Sequence, residues 1–200
     1  MTDTESQTPP PAAASKPRWR RVARRGGYSV LAFVLVTGGY FGLLQIDGNI
    51  RTVEPGQLYR SAQLDSAQFA RVIKQDGIRT IINLRGAHPK AEWYETELAV
   101  SAAFGVAHVD YGISAEHPVS ARQIGEILAL LRTSPKPILV HCQGGADRSG
   151  LVAALYEAEI MGKPPAVADD QLALRYGHFP YLGSKTIAMD KSFWAYADAK

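Results

Sequence analysis

Ile138-Leu139-Val140-His141-Cys142-Gln143-Gly144-Gly145-Ala146-Asp147-Arg148-Ser149-Gly150-Leu151-Val152 contains the only cysteine of this 200-residue chain. An apolar run enters a glycine-rich turn and a second apolar run leaves it, which reads as strand, loop, helix. Such a loop turns backbone N–H groups inward and sets an anion at the N-terminus of the following helix. The thiolate of Cys142 is the nucleophilic form, and a helix N-terminus or a nearby cation lowers a thiol pKa from its usual value of about 8.5. Arg148 offers a planar fork that matches two phosphate oxygens at once. Gly144 and Gly145 let the backbone take positive φ and come close to an anion. His141 is placed to hold the cysteine backbone by hydrogen bonding, and Ser149 to donate to the sulfur as it leaves. The plainer alternative is a buried structural cysteine ahead of a surface arginine. The order of residue types favours an anion site built from Gln143, Gly144, Gly145, Ala146, Asp147 and Arg148.

These residues resemble the His-Cys-x5-Arg-Ser/Thr signature of the cysteine-dependent protein tyrosine phosphatase superfamily. Leu58-Tyr59-Arg60-Ser61-Ala62-Gln63-Leu64 and Gly77-Ile78-Arg79-Thr80-Ile81-Ile82-Asn83-Leu84-Arg85-Gly86 are similar to leading segments of its compact dual-specificity-like branch. Gly145-Ala146-Asp147-Arg148-Ser149-Gly150 and Gln171-Leu172 … Tyr176-Gly177-His178 are similar to bacterial members of that branch. The resemblance spans roughly residues 53–180. It implies hydrolysis of phosphotyrosine, with phosphoserine and phosphothreonine as further candidates, in a phosphorylated protein substrate. It also implies a cysteinyl-phosphate intermediate and no metal or organic cofactor.

The rest of the chain supplies the frame. A strand is expected near Gly56–Arg60, after a linker over Asp47–Pro55. Asp65-Ser66 caps a helix over Ala67–Asp76, with Phe69, Val72 and Ile73 at helical spacing and Gly77 as the stop. Thr80–Leu84 reads as a strand, Lys90–Phe104 as a helix and Val106–Ile113 as a strand. Ser120 is a good N-cap for Ala121–Arg132, whose Ile124, Ile127, Leu128 and Leu131 form one stripe. The central strand is Ile138–Cys142, followed by a helix to about Met161 and another over Pro164–Tyr176. Strands alternating with helices predict an α/β fold, a mostly parallel sheet flanked by helices, with the loop at a strand's carboxyl end.

A leaving alkoxide or phenoxide needs a proton, so a carboxylic acid is expected from another loop. Glu116 lies in Ser114-Ala115-Glu116-His117-Pro118, between a strand and the Ser120-capped helix. Asp110 stands further from Cys142, at a separation familiar in dual-specificity members, but inside an expected strand. The loop position favours Glu116, the family's usual aspartate favours Asp110, and His117 stays a third candidate. Asp147 is unfavourable beside a phosphate, so its side chain is expected to face outward or to hold a neighbouring group.

Residues 1–17 are rich in Pro, Ala, Ser and Thr and are expected to be disordered. Lys16, Arg18, Arg20, Arg21, Arg24 and Arg25 follow, then the 21 residues from Gly26 to Ile46 carry no charge. As a helix that run measures about 31 Å, the thickness of a bilayer core. The expected organisation is a disordered basic cytoplasmic tail over residues 1–25, a transmembrane anchor over 26–46 and a phosphatase domain over 47–200. The basic flank predicts a single pass with a cytoplasmic N-terminus and an exported catalytic domain; the resemblance to bacterial members implies that the membrane is a bacterial inner membrane and the exported side the periplasm. A cleaved signal peptide is the competing reading, against which stand a poor cleavage site at Val36-Thr37-Gly38 and apolar character that resumes at Tyr40.

Six basic side chains against Asp3 and Glu5 leave the first 46 residues at +4, so the remainder carries −1 of the chain's +3. The basic pI therefore belongs to the anchor, and no nucleic-acid surface is expected. His88, His108, His117, His141 and His178 lack zinc-like spacing, so no metal is expected either. Two rivals remain. A lipid or inositol phosphatase would exploit the anchor, but family members acting on highly phosphorylated inositols tend to carry lysines in the loop, and this loop has none. A phosphate-binding pseudophosphatase would keep Cys142 and Arg148 without a working acid.

Overall fold

A computed structural model describes residues 18–199. Five short strands make one sheet: β1 (Arg51–Glu54), β2 (Leu58–Ser61), β3 (Thr80–Asn83), β4 (Ala107–Asp110) and β5 (Ile138–His141). Seven helices accompany them: α1 (Arg18–Ile46), α2 (Ser66–Asp76), α3 (Glu92–Phe104), α4 (Ala121–Thr133), α5 (Asp147–Glu159), α6 (Pro165–Ala168) and α7 (Ile187–Ala197). The strand order is β1-β2-β5-β3-β4. Only β1 runs antiparallel to its neighbour. The fold is thus the α/β architecture read from the sequence, with β5 at its centre.

Every residue of β2, β3 and β5 is buried, because the sheet is covered on both faces. Successive side chains alternate between the faces. Tyr59, Ile81 and Leu139 join Phe69, Val72 and Ile73 of α2 in one cluster. Leu58, Ile82 and Val140 join Leu128 and Leu131 of α4, Leu151 and Leu155 of α5, and Phe193 of α7 in the other. Helix α5 is buried from Ser149 to Glu157, so the residues that follow the cysteine loop are fixed by the core.

The expected caps form. Asp65 accepts from Gln68 N and Ser120 from Gln123 N, each within a capping box. Gly77 and Gly105 end α2 and α3 in the left-handed conformation. Four elements differ from expectation. The Asp47–Pro55 linker contains β1. The Val106–Ile113 strand stops at Asp110, because Gly112 leaves the ladder to pack on Gly86: a Cβ on Gly86 would lie 3.2 Å from Gly112 Cα. The Pro164–Tyr176 helix is only α6 followed by two 3₁₀ turns, Asp169–Leu172 and Leu174–Tyr176. Its continuation is interrupted where the buried Arg60 guanidinium takes the Gln171 carbonyl at 2.6 Å, an oxygen an α-helix would give to its own backbone. Helix α7 was not anticipated.

The chain divides into two units, the second beginning at Phe41. In the first unit α1 starts at Arg18, so residues 18–25 of the expected tail are helical, while residues 1–17 lie outside the described residues. Gly27–Ile46 is long and apolar enough to cross a membrane, a test that a signal sequence also passes. The second unit takes in the last turns of this apolar run. Leu44 is buried there, and Gln68 Nε2 donates to Ile46 O at 2.9 Å.

Candidate active site

Strand β5 is flanked on both sides by parallel neighbours, so its carboxyl end is held in place, and Cys142 N donates on to Ser61 O at 3.4 Å. The chain then turns through residues 143–146 into α5. Gly145 takes φ 66°, and a Cβ there would lie 2.5 Å from Ala62 N. Only glycine fits this point, where the loop is pressed on the end of β2. Cys142 and Ser149 are both buried, and Ser149 Oγ lies 3.5 Å from Cys142 Sγ. The backbone N–H groups of residues 143–146 meet no acceptor among the described residues. They stand, with the first turn of α5, where the partial positive charge of a helix N-terminus favours an anion.

Arg148 closes the loop. Its Nη1 donates to Leu84 O at 3.1 Å and Ile113 O at 3.4 Å, and its buried Nε has no partner. These contacts orient the guanidinium from one side and leave the Nε–Nη2 edge for two oxygens of a bound anion. Burial, then the nearby Arg148, lowers the pKa of Arg85. The Arg85 guanidinium lies 3.5 Å from the centre of the Trp93 ring and donates to Gln63 Oε1 at 2.9 Å. Gln63 and Trp93 also line an adjoining cleft of about 570 Å³, with Asp65, Gln68, Glu92 and Thr96.

His141 is held differently from expectation. Its Nε2 lies 2.7 Å from Glu97 Oε1, so it orients β5 through α3 rather than through the cysteine backbone. Glu97 is fully buried and also receives His108 Nε2 at 2.8 Å and Gln63 Nε2 at 2.9 Å. Burial pushes its pKa up, and the hydrogen bonds from His108, His141 and Gln63 overcome this and hold it at about 2.

The two candidate acids stand apart. Asp110 ends β4 with both oxygens engaged: Asn83 Nδ2 donates at 2.8 Å and Tyr94 OH at 2.5 Å. That hydrogen bond is the largest cause of the rise of the Tyr94 pKa to about 12. Glu116 lies in the loop that begins at Ile113, the residue whose carbonyl Arg148 touches. Its half-exposed carboxylate accepts from Lys185 Nζ at 3.1 Å. His117 Nδ1 lies 3.0 Å from Ser114 Oγ. Neither Asp110, Glu116 nor His117 hydrogen-bonds to Cys142 or Arg148. Asp147 turns its carboxylate to His178, whose Nδ1 lies 2.7 Å from Asp147 Oδ1 and whose Nε2 lies 2.8 Å from Asp190 Oδ2. Two donating ring nitrogens require the imidazolium. Burial lowers the His178 pKa, and the two carboxylates more than offset it, raising it to about 9.

A family model described as the tyrosine phosphatase family matches residues 41–173. The chain belongs to this family. It is therefore a cysteine-based phosphatase. Several solved structures share its fold. TpbA of P. aeruginosa superposes with a TM-score of 0.60 at 19% identity, over 76% of this chain and 89% of that one. Tk-PTP in the active form gives 0.58 at 17% identity, over 76% and 98%. The core catalytic domain of the PP-IP phosphatase SIW14 from S. cerevisiae gives 0.57 at 17%, over 71% and 83%. At these identities the likeness is one of fold alone. No curated protein matches the sequence significantly.

Sequence reasoning placed the loop but missed Glu97, His178, Asp190 and Arg85. A single charge in the apolar stretch Glu97-Leu98-Ala99-Val100 was the available signal for Glu97. His178 stands in a segment that resembles relatives but carries no local signal of its own for a buried ion pair.

Proposed function

We propose that this phosphatase hydrolyses phosphotyrosine in proteins, with phosphoserine and phosphothreonine as secondary substrates, from an anchor over residues 26–46. The observation that carries the chemistry is buried Cys142 at the head of a loop whose N–H groups, from residues 143–146, meet no acceptor among the described residues, with the unpartnered Nε of Arg148 at the loop's end. Cys142 Sγ attacks phosphorus as the bond to the leaving oxygen breaks. Arg148 and the loop amides bind the equatorial oxygens, where charge is stabilised most in the transition state. Glu116 gives its proton to the leaving oxygen. Its carboxylate then takes a proton from water as that water attacks phosphorus, the S–P bond breaks, and Ser149 donates to the departing sulfur.

TpbA has been solved in complex with pTyr, which supports the phosphotyrosine reading by fold analogy. The PP-IP phosphatase likeness favours a second reading, a lipid or inositol phosphate substrate. The absence of lysine from residues 143–147 weighs against that reading. The basic stretch before Gly26 supports a periplasmic catalytic domain. A panel of phosphotyrosine and phosphoserine peptides, a lipid monophosphate and an inositol pyrophosphate, tested on the full chain in detergent, decides between them. The phosphotyrosine peptide is expected to give the highest kcat/KM. A higher value for either lipid monophosphate or inositol pyrophosphate overturns the proposal.

A further inference from the structure

The carbonyls of the cysteine loop are each gripped from outside. Gln63 N donates to Gln143 O at 3.1 Å. Asn49 Nδ2 reaches Gly144 O at 3.1 Å and Gly145 O at 3.2 Å, and Gln45 Nε2 also reaches Gly144 O at 3.4 Å. Arg60 Nη2 donates to Gly145 O and to Ala146 O, both at 2.9 Å. In a trans peptide unit the C=O and the following N–H point in opposite directions. Holding the carbonyls of residues 143–146 outward therefore aims the N–H groups of residues 144–147 inward, toward the space above Cys142.

Asn49 and Arg60 are both fully buried and tied to one another's surroundings. Asn49 Nδ2 donates to Tyr176 O at 2.7 Å, and the Arg60 guanidinium lies 4.5 Å from the Tyr176 ring centre. Arg60 Nη1 is fixed by Gln171 O at 2.6 Å and Gln171 Oε1 at 2.9 Å. A Cβ on Gly150 would lie 2.9 Å from Gln171 O and 3.1 Å from Arg60 Nη2, so the motif's last glycine makes room for the guanidinium and for the carbonyl it grips. Burial lowers the Arg60 pKa only to about 10, with Cys142 as the largest of the opposing influences, so it is charged at neutral pH.

We propose that Asn49 and Arg60 form an outer clamp that sets the anion-binding conformation of the loop, with Arg60 adding a fixed positive charge behind the thiolate. They are positioning residues, acting through the amides of residues 145–147. Half of the clamp comes from the turn directly after α1, so this turn belongs to the phosphate site. The proposal rests on phosphate binding by the loop but is independent of which phosphoester is hydrolysed.

The test uses the full chain in detergent, with Asn49→Gly and Arg60→Lys. Asn49 sits at φ 45°, so glycine removes the amide without opposing the backbone. Lysine keeps the charge of Arg60 and loses its fork. Three quantities are read: the dissociation constant of orthovanadate, the pH midpoint for alkylation of Cys142 by iodoacetamide, and kcat/KM for an aryl phosphate. Cys142 is the only cysteine, so alkylation reports one site. In Asn49→Gly vanadate is expected to bind more weakly, the alkylation midpoint to rise, and kcat/KM to fall by about 10²-fold, the scale of a small misplacement of catalytic groups. Arg60→Lys is expected to weaken vanadate in the same direction. Should Arg60→Lys not fold, Asn49→Gly decides alone. Wild-type vanadate affinity and alkylation midpoint in folded Asn49→Gly overturn the clamp. Failure of the phosphotyrosine reading would instead appear only in the substrate panel, with these anion readouts still shifted.

Discussion

Glu116 and Asp110 carry the same functional group in opposite settings. Asp110 spends both oxygens on Asn83 and Tyr94 at the end of a strand, so moving it would strand a phenol and an amide. The Glu116 carboxylate is tied, among the described residues, only to the exposed Lys185, and a surface ion pair of this kind is worth about 0–1 kcal/mol. A side chain so lightly held in a loop can approach a leaving group. Glu116→Gln is therefore expected to slow turnover of a phosphotyrosine peptide by about 10²–10⁴-fold, the usual range for general acid catalysis. An aryl phosphate whose leaving group is stable as an anion should be affected much less. If Asp110→Asn shows that leaving-group dependence and Glu116→Gln does not, the assignment is reversed. The nucleophile was legible because Cys142 and Arg148 lie on one short loop. Arg60 and Asn49 were not legible as partners of that loop, because their contacts reach 85 to 96 positions along the chain.

At the scale of elements, what the sequence revealed were the locally determined ones. Helices α2 and α4 carry their capping boxes and apolar stripes within a dozen residues, and both lie where those signals put them. The segment after Pro164 failed for the opposite reason: its local pattern favours a helix, and a distant buried arginine takes one of its carbonyls. His178 follows that segment and links α7 to the cysteine loop through Asp190 and Asp147. Its folded pKa is raised to about 9, against roughly 6.5 unfolded. The stabilisation from its proton is therefore complete below about pH 6.5 and is lost as pH rises through 9. Chemical unfolding of the full chain in detergent should show stability falling across that window. His178→Gln should flatten the fall, and an unchanged slope in that variant would refute the assignment.

The whole molecule joins an apolar helix to a phosphatase unit whose first turns include part of that helix. Composition alone put the boundary at residue 46, because it sees where charge resumes and not where packing begins. Leu44 and Gln45 are both uncharged, yet Leu44 is buried in the unit and Gln45 reaches the cysteine loop. The proposed orientation is tested by reporters fused after Lys200. A reporter active only in the periplasm should light up, and one active only in the cytoplasm should stay silent; the reverse pattern would move the substrates to the cytosol. Neither orientation alters the chemistry at Cys142, which is the centre of the account. The most direct measurement is rapid acid quenching of the full chain during turnover of an aryl phosphate, followed by mass analysis of the peptide carrying Cys142. A phosphate adduct on Cys142 is predicted, absent together with turnover in Cys142→Ser. Hydrolysis without that adduct, sustained in Cys142→Ser, would contradict it.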